Sequence, residues 1–84
     1  MSRFYCSRVR FPGHEKRPMD YRQFFEALSP VSLASITLET RRLFPEAMIL
    51  DTREVNWSDI PDGSPIEESR SGMIHSHLRR QNRP

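Results

Sequence analysis

Glycine, lysine and cysteine are all scarce in this chain: of its 84 residues three are glycine (Gly13, Gly63, Gly72), one is lysine (Lys16) and one is cysteine (Cys6). Three isolated glycines exclude a glycine-rich phosphate loop, and neither G-x-S-x-G nor H-E-x-x-H occurs. One cysteine excludes an internal disulfide framework and any C-x-x-C metal or redox pair. Long apolar runs are missing too. The most apolar stretch, residues 31–38, already carries two serines and a threonine, far short of the roughly 20 apolar residues of a membrane-spanning helix. With no charged and then apolar leader at the start, these absences lead us to expect a cytoplasmic protein that does not span a membrane.

A chain of 84 residues has room for one domain and buries only about 60% of the surface its unfolded form exposes. That is too little for a deep, enclosed active site, and partner binding is expected to add to the stability of the fold. We therefore expect a single domain over residues 1–84, with residues 79–84 as a flexible basic tail, and a non-enzymatic role without metal or other cofactor.

What the chain does have is arginine. Twelve of its thirteen basic residues are arginines, whose planar fork suits phosphate and carboxylate better than the point charge of lysine. The net charge is only +2, but it is segregated: residues 1–22 carry +4, residues 23–68 carry −6 and residues 69–84 carry +4.

Residues 3–11, RFYCSRVRF, are rich in aromatic and β-branched side chains and end at Pro12-Gly13, which predicts a strand and a turn. Its alternation sets Tyr5, Ser7, Val9 and Phe11 on one face and Phe4, Cys6, Arg8 and Arg10 on the other, with Arg8 and Arg10 about 7 Å apart. Residues 13–18 read as a polar loop. Tyr21, Phe24, Phe25 and Leu28 then fall at i, i+3, i+4 and i+7, the spacing of an apolar helix face. Ser29 and Pro30 mark the cap and first position of a second helix, ended by Phe44-Pro45. Residues 47–57 read as one strand kinked near Asp51, or as a strand and an extended tail, and residues 58–63 as a turn. Ser64-Pro65-Ile66-Glu67 has the form of a capping box and predicts a third helix to about Arg80, weakened at Gly72. The expected architecture is α+β, a small domain of order β-α-α-β-α with a two- or three-stranded antiparallel sheet.

The histidines do not make a metal site. His75 and His77, two apart, point about 200° from each other on a helix, whereas helical zinc pairs sit at i and i+4; the other soft ligands, His14 and Cys6, have no supporting spacing. Cys6, a free cysteine on the first strand, reads as a buried thiol rather than a nucleophile. Two surfaces remain. The basic ends, Arg8, Arg10, Lys16 and Arg17 on or just after the first strand and Arg79, Arg80 and Arg83 at the end of the last helix, would line one phosphate-binding surface if the fold joins them. Against this, arginines at a helix C-terminus are favoured by its dipole alone. The acidic middle offers Glu54, Trp57, Asp59 and Ile60 as a docking patch with Trp57 as anchor, or Trp57 simply fills the core. The sequence therefore points to a small binding protein that modulates or inhibits a larger protein or nucleoprotein assembly by surface docking. Its alternative is direct nucleic-acid binding through the basic ends.

Overall fold

A computed structural model of the chain describes residues 2–14 and 17–70. Its elements are β1 (Arg3–His14), β2 (Arg17–Ala27), α1 (Leu33–Leu43), β3 (Met48–Val55), a single 3-10 turn at Trp57–Asp59 and β4 (Ile66–Glu68). The strands form one mixed sheet in the order β3-β1-β2-β4. β1 pairs antiparallel with β2 and with β3, and the short β4 runs parallel to β2.

This order replaces the expected β-α-α-β-α arrangement and its two- or three-stranded antiparallel sheet. Residues 17–27 are not a helix but the second arm of a hairpin, Cys6 lying opposite Phe24 and Tyr5 opposite Phe25. The helical spacing misleads because β2 is buried on both faces here. Phe24 joins Phe4, Cys6, Ile60 and Ile66 on one side, while Phe25 joins Tyr5, Ala27 and Ile36 on the other. Adjacent apolar residues on a doubly covered strand imitate the i, i+1 edge of an apolar helix stripe. Residues 13–14 and 17–18 are likewise strand rather than loop.

The single helix among the described residues starts later than Ser29-Pro30 predicts. Ser32 is its cap, the Ser32 hydroxyl oxygen accepting the Ser35 N–H at 3.1 Å. The Val31 N–H instead donates to the Tyr5 hydroxyl at 3.2 Å, which ties the lead-in to the sheet. The expected third helix is also corrected at its start. Ile66–Glu68 pair with Phe24–Glu26 of β2 as a strand, because Ile66 gains more by covering Phe24 and Cys6 than a solvated first turn offers. Its continuation beyond Arg70 lies outside the described residues.

Two connections cover the sheet. α1 links β2 to β3, which run parallel to each other with β1 between them, and packs Ile36 against Tyr5, Phe25 and Ala27. At the end of α1, Phe44 meets Phe11 and Tyr21 edge-on, with ring centroids 5.6 and 5.8 Å away. On the opposite face, residues 56–65 cross from one sheet edge to the other and bring Ile60 and Trp57 under Phe4 and Cys6. The Phe4 and Trp57 rings are 5.3 Å apart. This crossing turns at Pro61–Ser64, where the Ser64 N–H bonds the Pro61 carbonyl. Gly63 sits there at φ 83°, a conformation that suits glycine.

The helix–sheet interface carries a polar seam. Thr40 Oγ1 lies 2.8 Å from Ser7 Oγ and from the Ile36 carbonyl oxygen, Ser7 Oγ lies 3.0 Å from Thr52 Oγ1, and Thr52 Oγ1 lies 3.1 Å from Thr37 Oγ1. Each hydroxyl has one hydrogen to donate, and one consistent order runs from Thr37 to Thr52, from Thr52 to Ser7, from Ser7 to Thr40 and from Thr40 to the Ile36 carbonyl. A buried carboxylate extends the clasp: Glu39 accepts the Ser69 hydroxyl at 2.8 Å and the Arg70 N–H at 3.1 Å, fixing the chain after β4 to α1. Thr40→Val is expected to lower the unfolding free energy by about 1–3 kcal/mol, the cost of leaving buried partners unsatisfied. In the Ser7→Ala/Thr40→Val pair the combined loss should fall short of the sum of the singles; urea denaturation of the four proteins of the cycle checks both.

Candidate nucleic-acid interface

The two connections leave part of one sheet face uncovered. Residues 56–65 shield the face carrying Phe4, Cys6 and Phe24, and the same face continues past them into the exposed side chains of Arg8, Arg10, Asp20, Arg22, Asp51 and Arg53. Strand register arranges these in rows. Arg53 of β3, Cys6 of β1 and Phe24 of β2 form the first; Asp51, Arg8 and Arg22 form the second; Met48, Arg10 and Asp20 form the third. Neighbouring strands are about 4.8 Å apart and successive rows about 7 Å. Four arginines therefore cross the open face diagonally over roughly 14 Å between Arg53 and Arg10.

Their partners are unequal. Arg10 holds Asp20 in a two-pronged contact, Nε to Oδ1 at 2.7 Å and Nη2 to Oδ2 at 3.1 Å. Arg8 reaches Asp51 through one nitrogen at 3.2 Å. Arg22 lies over the Phe24 ring, its guanidinium carbon 5.6 Å from the ring centre, and no carboxylate among the described residues lies within ion-pair distance of Arg22 or Arg53. Arg8 and Arg22 stand directly opposite each other, an arrangement of like charges that costs stability in a sheet. Asp51 offsets Arg8, while the stack on Phe24 holds Arg22 without neutralising it.

Electrostatics on this face follow from the same placements. The guanidinium of Arg10, foremost through its hydrogen bonds, holds the Asp20 carboxyl below its usual value, and Asp20 in turn raises Arg10. Burial pushes the Cys6 thiol up, although Arg22, Arg53 and Arg8 all act to lower it. Cys6 therefore stays a neutral thiol in the sheet, not a thiolate nucleophile.

The sequence-derived candidates are dispersed. Arg8 and Arg10 belong to the open face, Arg17 opens β2 at the hairpin end, and Lys16, Arg79, Arg80 and Arg83 lie outside the described residues. Of the acidic patch, Glu54 pairs with Arg3 at 2.8 Å and Asp59 accepts the Asn56 N–H at 3.1 Å, capping the 3-10 turn. Ile60 is buried and Trp57 half-buried against Phe4. Trp57 nevertheless borders an open groove of about 610 Å³ shared with Phe4, Leu28, Pro30 and Val55. Sequence reasoning missed Arg22, placed on a helix, and Arg53, hidden in the acidic segment. The alternation of Arg53 with its strand neighbours was the available signal, but it becomes legible only once the register with Cys6 is known.

Among the described residues no three His, Cys, Asp or Glu side chains are grouped to hold a metal, and no helix is long and apolar enough to cross a membrane. Comparison with known proteins finds no matching family model, no matching curated protein and no matching solved structure.

Two measurements check the site's electrostatics. Because the Asp20 carboxyl is depressed in the folded protein, its contribution to stability is complete above the ordinary value of 3.8 and is lost as pH falls through the lower folded value. The stability gap between the native chain and Asp20→Asn should thus be open at pH 7 and close in strong acid, as read by thermal unfolding across pH. Alkylation of Cys6 by iodoacetamide at pH 8 should be much slower in the native protein than in urea, as mass spectrometry of timed samples would show.

Proposed function

We propose that the protein is a small non-enzymatic binding protein that docks on the phosphate backbone of a nucleic acid, free or within a nucleoprotein assembly, through the open sheet face. The observation that carries this reading is the register pair Arg8 and Arg22 on an uncovered face, with Arg22 and Arg53 lacking carboxylate partners among the described residues. A sheet that sets two arginines side by side departs from the pairing that stability favours, and such departures mark binding surfaces. An anionic backbone supplies the missing counter-charge, and arginine forks are suited to its phosphate oxygens.

The face selects backbone over bases. Phe24 is covered by Arg22 and Phe4 by Trp57, while Tyr5 and Phe25 face α1, so none of these four rings is free to stack on a base. Binding is therefore insensitive to sequence. A second reading, docking on a protein through the groove beside Trp57, is favoured by that groove's apolar wall of Leu28, Pro30 and Val55.

Fluorescence anisotropy with labelled duplex and single-stranded DNA and RNA, at salt between about 50 and 200 mM, separates the two. Three or four phosphate contacts predict a log–log salt slope of about −3 to −4 on duplex DNA, equal across unrelated sequences. Arg8→Gln/Arg22→Gln should flatten that slope by nearly 2. Absence of binding at the lower salt sinks the nucleic-acid reading and leaves the groove.

A further inference from the structure

The open face is not uniform. Where it meets the covered end, a hollow of about 340 Å³ lies over Cys6, with Arg22 and Phe24 of β2 on one side and Arg53 of β3 on the other. It is several times the roughly 30 Å³ that one water occupies in the liquid. We propose that this hollow is a phosphate subsite in which Arg22 and Arg53 grip one phosphate group from two strands, anchoring the backbone contact. The inference rests on the nucleic-acid reading for the source of the phosphate and names the residues that carry most of its affinity.

Three features of the hollow fit that ligand. The first is position. Arg53 is the register partner of Cys6 on one side, and Arg22 is two residues from Phe24, the partner on the other side. The two side chains thus rise from strands flanking β1, with the Cys6 position between them. The second is unspent charge. Arg3, Arg8 and Arg10 each hold a carboxylate, whereas Arg22 and Arg53 hold none among the described residues, and hydrogen bonds from a charged donor to a charged acceptor are the strong ones. Stacking over Phe24 restrains the Arg22 guanidinium while leaving its edge for a forked contact.

The third is the floor and rim. Cys6 is buried and its thiol is held neutral, so it does not repel an anion. Two carboxylates, Glu54 and Asp59, also border the hollow. Both are engaged elsewhere, Glu54 with Arg3 and Asp59 with the Asn56 N–H. They limit the space to a compact anion and disfavour a second phosphate beside the first. The contacts available are to phosphate oxygens alone, a chemistry shared by a nucleic-acid phosphodiester and a free phosphate.

The test compares Arg22→Gln/Arg53→Gln with Arg41→Gln/Arg42→Gln, which removes the same charge from the exposed last turn of α1. Circular dichroism confirms that both variants fold. Affinity for a labelled duplex is measured for each. In parallel, inorganic phosphate is titrated into the native protein while the arginine side-chain N–H signals are followed by NMR. The expected result is a loss of tenfold or more for Arg22→Gln/Arg53→Gln against a small loss for the control, with saturable phosphate shifts at Arg22 and Arg53. If the native protein binds duplex and the two variants lose affinity equally, the subsite is overturned while the nucleic-acid reading stands. If inorganic phosphate shifts Arg22 and Arg53 but no nucleic acid binds, the subsite stands and its ligand is a small phosphate compound. If neither binds, both are overturned.

Discussion

Strand β1 is hydrogen-bonded along both edges, to β2 and β3, and its first half is buried on both faces. This double burial is the constraint from which the rest follows. Phe4, Tyr5, Cys6 and Ser7 are consecutive and all buried, so two separate pieces of chain must cover the sheet there. α1 supplies one cover and residues 56–65 the other, and each is also the connection between two strands that are not neighbours. A chain of this length has no third segment among its described residues with which to extend the second cover past Cys6. Among the described residues the arginine face is thus the part that neither cover reaches, and its side chains are ones that tolerate water.

With so little apolar material, the covers are fastened by polar chemistry. The side of α1 facing the sheet buries one large apolar residue, Ile36, beside Glu39 and Thr40, while Leu33, Leu38 and Leu43 stay exposed. The hydroxyl seam through Ser7, Thr37, Thr40 and Thr52 and the Glu39 clasp on Ser69 and Arg70 give the contact direction rather than bulk. Hydrogen bonds add modest net stability when made but are costly to break when buried. The helix therefore has one register on the sheet, and with it the strands hold the relative positions that set the arginine rows.

Three of the elements were legible in the sequence, but the order and the four-stranded mixed sheet were not, and the division has physical causes. β1 and β3 were readable because their alternation or apolar density has a local origin, and α1 because it ends at a clear stop before Pro45. β2 was not, since burial on two faces erases the period of two on which strand reading depends. β4 was not, since three residues carry no period and the Ser64 capping pattern pointed the other way; the parallel pairing that overrides it is a contact between distant segments. The site suffered from the same gap. Arg8 and Arg10 were visible as a pair on one strand face, but Arg22 and Arg53 join them only through register, which no single segment encodes.

The charge layout shows why linear blocks are a poor guide to a surface. The chain runs basic, acidic, basic, yet folding interleaves the blocks: Asp51 and Glu54 from the acidic middle pair with Arg8 and Arg3 from the basic start. What matters for an anionic partner is the charge left after these pairings. Exposed ion pairs contribute little to stability and are weakened by salt, so the carboxylates on Arg8 and Arg10 are displaceable neighbours and not permanent shields. Arg22 and Arg53 need no such displacement. A phosphate backbone meeting this face would engage them first and exchange with the paired arginines after, which makes the junction over Cys6 the natural point of entry.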